Sequence, residues 1–427
     1  MTTSPTSRTG GTTPHPPPVP DFRSAAFLRA HALWVMSFYR SRAVDPSGGM
    51  FHFFLDDGTV YDRRTRHLVS ATRFVVTHAI AHELEPGAGH GELAEHALRF
   101  VERAFADPQR EGFHWVIDWD GTRATPIDAT RHMYGLAFVM LAAARAHRIG
   151  LAGAKTLLES TFDLAERRFF DPAAGLYADD ASPQWALSSY RGQNANMHAC
   201  EALIAAFEAT GERRYIERAE LLARHITQRQ AGLADGGVWE HYRADWSVDW
   251  DYNRDDRSNI FRPWGFQPGH FTEWAKLLCQ LDTHTPQAWH LPRARELFDR
   301  AVTVAWDGTH GGLHYGFAPD GRICDAAKYH WVQAESMAAA ALLASRCGEP
   351  GAEAHYWKWY ERLWCYCWAH FVDHAQGAWF RILTPENFNL TREKSPAGKV
   401  DYHDIGACYD VWRELNRTAP VGPAGAP

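Results

Sequence analysis

The stretch Gly48-Gly49-Met50-Phe51-His52-Phe53 decides the fold, because its pattern, a glycine followed by apolar and aromatic residues, returns five times along the chain. The later copies are Gly112-Phe113-His114-Trp115, Gly175-Leu176-Tyr177, Gly236-Gly237-Val238-Trp239, Gly311-Gly312-Leu313-His314-Tyr315 and Gly377-Ala378-Trp379-Phe380. Successive copies are 63, 63, 62, 75 and 65 residues apart, counted from Gly49 to Gly377. A period this regular indicates a repeated structural unit and outweighs a domain count based on length.

Two stretches with helical periodicity lie between successive copies of the pattern. Their predicted bounds are 69–83 and 91–105, 129–147 and 152–169, 194–209 and 212–230, 269–281 and 291–305, and 329–345 and 352–371. A first helix at 24–42 and a last helix at 402–414 complete twelve helices in six pairs. Short extended segments are expected to join each pair to the next.

Six such units predict an all-α protein with an (α/α)6 barrel, in which six inner helices are surrounded by six outer ones. A closed ring leaves no terminal repeat with an uncovered face, whereas an open solenoid, the alternative, leaves two. We favour the barrel because the first and last helices both lack a partner in sequence and can pair with each other. The fourth unit is longer because it carries an insertion at 247–261, which we interpret as a lid over one mouth of the barrel.

Composition narrows the class of protein. The chain has 427 residues, 45% of them hydrophobic and 22% charged, which is typical of a globular protein able to bury a large core. A net charge of -7 argues against nucleic acid or an anionic membrane surface as the partner. No apolar run approaches the length of a membrane span. The 7 cysteines form no CxxC pair, which favours reduced thiols and a cytoplasmic location.

The two ends of the chain differ in composition from the repeats. Residues 1–20 are rich in Pro, Thr and Ser and lack the apolar centre of a signal peptide, so we expect a disordered tail. Residues 21–416 are expected to form a single barrel domain that carries the catalytic site. Residues 417–427 are expected to be a flexible C-terminal tail.

Polar and aromatic side chains recur at a common place, near the start of the first helix of each unit. They are Arg73, Tyr134, Asn194, His198, His270, Trp331, Glu335 and His403, which lie 24, 22, 19, 23, 33, 19, 23 and 26 residues after the glycine of their units. His270 comes later because the insertion precedes it, and Glu273 follows in the same helical turn. Asn194 and His198 are four residues apart, as are Trp331 and Glu335, so the members of each pair share a helix face.

A closed barrel would bring these side chains together at one mouth of its central cavity. Each has an ordinary structural explanation when taken alone: an ion pair for Arg73, core packing for Tyr134 and Trp331. The common register favours a functional ring instead, because a pocket lined by convergent polar groups is the usual form of a binding site.

The residue types in this ring suit proton transfer next to a carbonyl group. Two histidines facing one cavity can give and take protons near neutral pH. An arginine or an asparagine can stabilise a developing enediolate oxygen. This combination is typical of aldose–ketose isomerisation or of 2-epimerisation of a sugar.

Two rival chemistries use the same residues. Three histidines and a glutamate could bind zinc, although the sequence contains no HExxH or other local ligand motif. Glu273 and Glu335 could serve as the carboxylate pair of a glycoside hydrolase. A nucleotide is not expected, because no GxxxxGK[ST] phosphate loop is present.

Four stretches resemble the N-acylglucosamine 2-epimerase superfamily, and most closely its D-mannose isomerase branch. They are Ser70-Ala71-Thr72-Arg73-Phe74, Arg191-Gly192-Gln193-Asn194-Ala195-Asn196-Met197-His198, Phe266-Gln267-Pro268-Gly269-His270-Phe271-Thr272-Glu273-Trp274 and Asp401-Tyr402-His403-Asp404. The resemblance covers nearly the whole chain after the N-terminal tail. The strings Gln-Pro-Gly-His and Asn-Ala-Asn-Met-His are specific for the branch, whereas the positions of Arg73 and His403 are shared across the superfamily.

The resemblance implies an (α/α)6 barrel that works without a metal or another cofactor through a cis-enediol(ate). It implies interconversion of D-mannose and D-fructose, with D-lyxose and D-xylulose as a further pair. His270 and His403 would be the acid/base pair, with His403 assigned to the carbon-bound proton. The sugar would be bound by Arg73, Tyr134, Asn194, His198, Glu273, Trp331 and Glu335.

Further expectations follow from the same resemblance. The partner would be a free monosaccharide, and the protein would be a monomer or a homodimer. A 2-epimerase acting on glucose, cellobiose or N-acetylglucosamine is the alternative within the superfamily. A barrel that binds a sugar or a protein without catalysis is the alternative outside it.

Overall fold

The computed structural model describes residues 18–256, 262–346, 348 and 350–418. Within these ranges twelve α-helices, α1 to α12, span Ala25–Arg40, Leu68–Leu84, His90–Phe100, Met133–Arg148, Ala154–Arg168, Gln193–Thr210, Arg213–Arg224, Pro268–His284, His290–Ala305, His330–Arg346, Pro350–His370 and Tyr402–Thr418. Two π-helical turns, Val101–Phe105 and His225–Gln230, continue α3 and α7. Helix α12 passes the predicted start of the C-terminal tail at 417, and residues 419–427 and 1–17 of the two tails lie outside the described residues.

The helices form a closed (α/α)6 barrel, which confirms the predicted fold. The inner ring runs α2, α4, α6, α8, α10 and α12, each helix contacts the next, and α12 contacts α2 to close the ring. Each inner helix also packs against one outer helix, and the pair formed by α1 and α12 joins the two ends of the chain. The open solenoid is thereby excluded, since the first and last helices cover each other.

Inner and outer helices bury different fractions of their surface. Helix α2 is buried continuously from Leu68 to Ala81, because it contacts neighbours on every side. Helix α10 carries the run Ala338–Ala341, and these small side chains let neighbouring inner helices approach closely. Outer helices such as α7 bury one stripe and leave the opposite face to solvent.

Sixteen short strands, β1 to β16, connect the helices in the described part of the chain. They span Phe53–Leu55, Val60–Asp62, Thr65–His67, Val116–Trp119, Ala124–Asp128, Arg131–His132, Phe170–Asp171, Leu176–Tyr177, Asp180–Ala181, Arg191–Gly192, His241–Tyr242, Gly316–Phe317, Ile323–Asp325, Lys328–Tyr329, Ile382–Leu383 and Glu393–Ser395. The segment before each inner helix pairs antiparallel with the segment after the following outer helix, as in β10 with β11 and β14 with β15. In the fourth unit a single bridge, Phe266 with Phe317, replaces the strand pair. These pairings tie neighbouring units together where the inner helices begin.

The glycine pattern of the sequence is a tight turn that ends each outer helix. In the fifth unit the Asp307 carboxylate accepts hydrogen bonds from the backbone N–H groups of Thr309 and His310, and Gly312 closes the turn at φ +79°. A side chain at Gly312 would adopt an unfavourable backbone conformation and collide with the ring of Tyr366. The repeat is therefore a requirement of backbone geometry.

The same turns carry a buried ion pair that recurs around the barrel. The turn aspartate pairs with a cation at the start of the next inner helix or just before it. The pairs are Asp45 with Arg66, Asp107 with Arg131, Asp307 with Lys328 and Asp373 with Lys394. Each links the end of an outer helix to the segment that leads into an inner helix, so the pairs set the register of the units.

The described part of the insertion packs on the rim of the barrel. The ring centroid of Trp250 lies 4.7 Å from that of Trp239, and the ring of Tyr252 lies 4.7 Å from that of Tyr190. Residues 247–256 contribute nothing to the wall of the central cavity, and 257–261 lie outside the described residues. The structure thus places the described part of the predicted lid beside the mouth rather than across it. None of the described helices has the length and apolar character needed to cross a membrane.

Candidate active site

A cavity of about 810 Å³ opens at the end of the barrel where the inner helices begin. Eight of the nine predicted site residues line it: Arg73, Tyr134, Asn194, His198, His270, Glu273, Trp331 and His403. All six inner helices contribute to the wall. The sequence register therefore located the cavity, and Glu335 is the one predicted residue that the structure places elsewhere.

The site residues form two layers because the inner helices start at nearly the same height. The second residue of five inner helices is a wall residue: Val69, Tyr134, Asn194, Trp331 and His403. The sixth residue, one turn deeper, supplies Arg73, His198, Glu273 and Glu335. His270, the third residue of α8, takes the place of Gly269 in the upper layer. Spacing by four residues puts the two layers on one helix face.

His403 is held by a buried carboxylate behind it. Its Nδ1 atom lies 2.7 Å from Oε1 of Glu335, and its side chain lines the cavity. Burial, and then the nearby Arg73 cation, hold the pKa of His403 well below its usual range. The imidazole is therefore neutral, Nδ1–H donates to Glu335, and the lone pair of Nε2 is on the side of the cavity.

His270 has a carboxylate partner of its own. Its Nδ1 atom lies 2.9 Å from Oε1 of Glu240, a residue that immediately precedes β11. The Gln193 amide donates to the other oxygen of Glu240 at 2.9 Å, and its carbonyl oxygen accepts from Trp274 Nε1–H at 2.7 Å. These contacts fix the orientation of the amide, whose nitrogen also lies 3.0 Å from Nδ1 of His270. Because the Glu240 carboxylate accepts hydrogen bonds, we assign the Nδ1 proton of His270 to its contact with Glu240. Nε2 of His270 is then available to a bound ligand.

Trp331 lies between the two histidines. Its ring centroid is 5.0 Å from that of His270 and 5.8 Å from that of His403. The ring packs against Gly269, where a Cβ atom would lie 2.3 Å from it. Because Gly269 has no side chain, the Trp331 ring can lie between the two histidines. A sugar ring can pack on the face of this indole.

Arg73 supplies a cation to the wall of the cavity. Its guanidinium lies 4.5 Å from the ring centroids of both Phe138 and Tyr402. It donates hydrogen bonds to the carbonyl oxygen of Gly398 and, at 3.3 Å, to the hydroxyl of Tyr134. These contacts hold the planar group in one orientation, which is what stabilising a developing oxyanion requires.

Glu273 is a buried carboxyl group whose two oxygens have no hydrogen-bond partner in the part of the chain that the structure describes. Burial, and then the neighbouring Glu335, raise the pKa of Glu273 well above its usual range. Glu201 is a neighbouring buried carboxyl group, and burial alone would raise its pKa. The hydrogen bond with His198 at 3.0 Å and the charge of Lys276 instead lower the pKa of Glu201 below its ordinary value. Glu273 therefore holds its proton to higher pH than an ordinary glutamate, and a sugar hydroxyl can satisfy its free oxygens.

Glu335 lies beneath the cavity, behind His403, rather than in its wall. The prediction that it contacts the sugar does not fit this placement, because the imidazole of His403 separates the two. The i,i+4 spacing from Trp331 correctly indicated the helix face, but it carried no information about depth below the mouth.

Sequence reasoning missed several wall residues: Tyr315, Tyr329, His330, Arg381 and Lys399. His330 is tied at 2.8 Å to Asp404 of the next inner helix. Tyr315 and Arg381 follow the glycines of their units by three and four residues, so the repeat register could have identified them. Glu240 lies at the same place in the repeat, three residues after Gly237, but the register does not show which group Glu240 or Gln193 binds, because their function depends on a contact between neighbouring units.

Two groups of described residues have the composition of a metal site. They are His198, Glu201 and Glu273, and Glu273, Glu335 and His403, whose ligand atoms lie within 4.8 Å of one another. The ammonium group of Lys276 lies 2.6 Å from Glu335 and already neutralises this cluster. A divalent ion here would be repelled by that cation, and the donor set therefore does not fit zinc.

Turnover is accordingly expected to survive removal of divalent metal. Dialysis of the protein against EDTA should change the rate of sugar isomerisation by less than about twofold, since the Lys276 cation already balances charge among these carboxylates. The measurement is the initial rate before and after dialysis, with metal content followed by mass spectrometry. A loss of activity that added zinc restores would establish the metal-dependent alternative.

Comparisons with known proteins agree with this geometry. The sequence model of the family described as N-acylglucosamine 2-epimerase (GlcNAc 2-epimerase) matches residues 49–407. The chain is 50% identical over 398 residues to a D-mannose isomerase of Marinomonas mediterranea, covering 93% of this chain and 99% of that protein. It is 38% identical over 317 residues to a D-mannose isomerase of Thermobifida fusca, covering 73% and 76% of the two chains. A crystal structure of a D-mannose isomerase superposes with a TM-score of 0.89 at 50% identity, covering 93% of this chain and 100% of the other.

Proposed function

The chain belongs to the N-acylglucosamine 2-epimerase family, and we propose that it is an aldose–ketose isomerase that interconverts D-mannose and D-fructose. One observation carries the chemistry: two histidines each bind a buried glutamate through Nδ1 and have Nε2 available in one cavity. D-lyxose and D-xylulose, which share the configuration at C2 and C3, form the second substrate pair.

The reaction requires the open-chain sugar. His270, whose Nδ1–H is held by Glu240, takes the O1 proton at its Nε2 lone pair, the C1–O5 bond breaks as the C1 aldehyde forms, and the resulting imidazolium gives that proton to the ring oxygen. In this assignment His270 transfers protons to and from oxygen atoms only. Its carboxylate partner stabilises the imidazolium between the two proton transfers.

His403 then transfers the carbon-bound proton. Its neutral Nε2 takes the proton from C2, the C2–H electrons form a C1–C2 double bond, and the carbonyl electrons move to O1. His270 then takes the O2 proton at Nε2 and passes it to O1, and the proton on His403 is delivered to C1, which gives the ketose. No proton is gained or lost overall, and one base serves both carbons because C1 and C2 present the same face.

The remaining wall residues bind the sugar in this proposal. Arg73 and Asn194 face the oxygens that carry charge in the enediolate, and the buried Asn194 Oδ1 has no hydrogen-bond partner among the described residues. Tyr134, His198 and Glu273 supply further hydrogen bonds to the sugar. Trp331 packs against the carbon face of the chain.

The product formed in D2O tests the proposal. Incubation with D-mannose should yield D-fructose with deuterium at C1, because the proton on His403 exchanges with solvent during the lifetime of the enediol. NMR of the reaction mixture reports both the product and the labelled carbon. D-glucose without D-fructose would establish a 2-epimerase instead, and binding of D-mannose with no turnover would establish a sugar-binding protein.

Partners and location follow as further proposals. The partner is the free monosaccharide. The net charge of -7 disfavours binding to nucleic acid or to an anionic membrane surface. The buried thiols of Cys200, Cys367 and Cys408 are not in disulfides, which supports a reducing, cytoplasmic location. The oligomeric state, monomer or homodimer, stays a prediction.

A further inference from the structure

A buried lysine lies directly behind the glutamate that holds His403. The Lys276 ammonium group is 2.6 Å from Oε2 of Glu335 and 3.7 Å from Oδ2 of Asp410. Its side chain is only 4% exposed. The chain of contacts thus runs from Asp410 through Lys276 and Glu335 to the imidazole of His403.

Lys276 cannot reach a sugar. It is absent from the wall of the active-site cavity and lies instead on a separate enclosed cavity of about 320 Å³ beneath it. Glu335 also lines the lower cavity, and His403 lines only the upper one. Lys276 therefore affects the reaction through the groups that it faces, and the Glu335 carboxylate, at 2.6 Å, is the nearest of them.

The charges around this pair explain why a cation is needed. The groups that face Lys276 and Glu335 come from five inner helices: Arg145 of α4, His198 and Glu201 of α6, Glu273 of α8, Asp410 and His403 of α12, and, above them, Arg73 of α2. Four carboxyl groups in one buried region cannot all ionise without compensating cations.

We infer that Lys276 is a positioning residue for proton transfer, because its buried ammonium group keeps Glu335 ionised and Glu335 in turn orients His403. The inference rests on the proposed isomerase function. An ionised Glu335 accepts Nδ1–H of His403, which fixes the tautomer with a free lone pair at Nε2. A protonated Glu335 would compete as a donor and allow the ring to turn.

The pKa directions agree with this arrangement. Burial raises the pKa of Glu335, and Lys276 is the first group to oppose the rise. Burial alone would lower the pKa of Lys276, but Glu335 and then Asp410 raise it above the ordinary value. Removal of the lysine would leave burial unopposed, and Glu335 would hold its proton to higher pH.

The test begins with Lys276→Met, which keeps the length of the side chain and removes its charge. We expect kcat for D-mannose to fall about a hundredfold, with KM changed by less than about threefold, because only proton transfer is affected.

The active form has Glu335 ionised, so activity is lost as pH falls through the pKa of Glu335. Since that pKa rises in the variant, the acid limb of the kcat/KM profile should move to higher pH. Lys276→Arg should recover most of the activity, because it restores the cation.

A double-mutant comparison separates a positioning role from a structural one. If Lys276 acts through Glu335, the double variant Lys276→Met/Glu335→Gln should be as active as Glu335→Gln alone, within about twofold. Losses that multiply, or a change in KM alone, would overturn the inference. The double variant removes both members of the closest ion pair in this cluster, so it serves if Lys276→Met fails to fold.

A second measurement needs no substrate. In protein labelled with ¹³C at the glutamate carboxyls, the Glu335 signal is identified by its absence in Glu335→Gln, and it should titrate at higher pH in Lys276→Met. An unchanged titration would refute the inference even if mannose is turned over. Failure of the wild-type protein to convert mannose, with the shifted titration present, would refute the proposed function and leave the coupling of Lys276 to Glu335 established.

Discussion

Replacement of His403 by asparagine is expected to lower kcat for D-mannose by about three orders of magnitude while KM changes by only a few-fold. The asparagine amide can still donate to Oε1 of Glu335, which now accepts from His403 Nδ1 at 2.7 Å, so the buried carboxylate keeps a partner. What disappears is the Nε2 lone pair that takes the carbon-bound proton. Initial rates of fructose formation measure the loss.

Isotope exchange assigns the two histidines. His403→Asn should abolish exchange of the C2 hydrogen of mannose in D2O, whereas His270→Asn should retain slow exchange from sugar that opens without the enzyme. Exchange at the wild-type rate in His403→Asn would reverse the assignment. His355→Ala, which changes a half-exposed histidine on an outer helix, is the matched control and should leave both rates unchanged.

Removal of the Asp373 carboxylate is expected to destabilise the fold by about 3–5 kcal/mol, because it leaves a buried cation without its closest partner. The Lys394 side chain is 0% exposed, and its ammonium group lies 2.6 Å from Oδ2 of Asp373. The other oxygen of Asp373 accepts two backbone N–H groups in the glycine turn. Urea unfolding of Asp373→Ala, followed by tryptophan fluorescence, measures the free energy of unfolding.

Two further variants separate the causes of that loss of stability, and a third, at an exposed ion pair, is the control. Asp373→Asn keeps an acceptor for the turn and removes the charge, so the difference from Asp373→Ala gives the contribution of the turn. Lys394→Met in the Asp373→Ala background should recover stability, because no buried charge remains. Glu217→Ala breaks an exposed helical pair with Arg213 and should cost less than about 0.5 kcal/mol. A loss below about 0.5 kcal/mol in Asp373→Ala would show that the recurring ion pairs do not hold the units in register.

The sequence by itself determined the barrel, because its repeat reflects a backbone requirement. Gly312 and its equivalents close the same turn after each outer helix, and most of these glycines adopt a left-handed conformation that other residues rarely adopt. The regular spacing of these glycines can therefore be read from the sequence, whatever side chains pack around each turn. The same register placed Tyr134, Asn194, Trp331 and His403 at the start of inner helices, and helices that start together bring those residues to one mouth.

Only the tertiary structure decided which group each site residue binds. Helical periodicity gives the face of a residue, but not its depth in the barrel or its neighbour on the next helix. Glu335 was therefore expected in the cavity wall and lies beneath it, between His403 and Lys276. Glu240 lies 30 residues before His270 in an extended segment, and no spacing rule connects them. These contacts exist because closure of the ring brings separate units within hydrogen-bond distance, and the ionisation of the buried carboxyls depends on the distances between them.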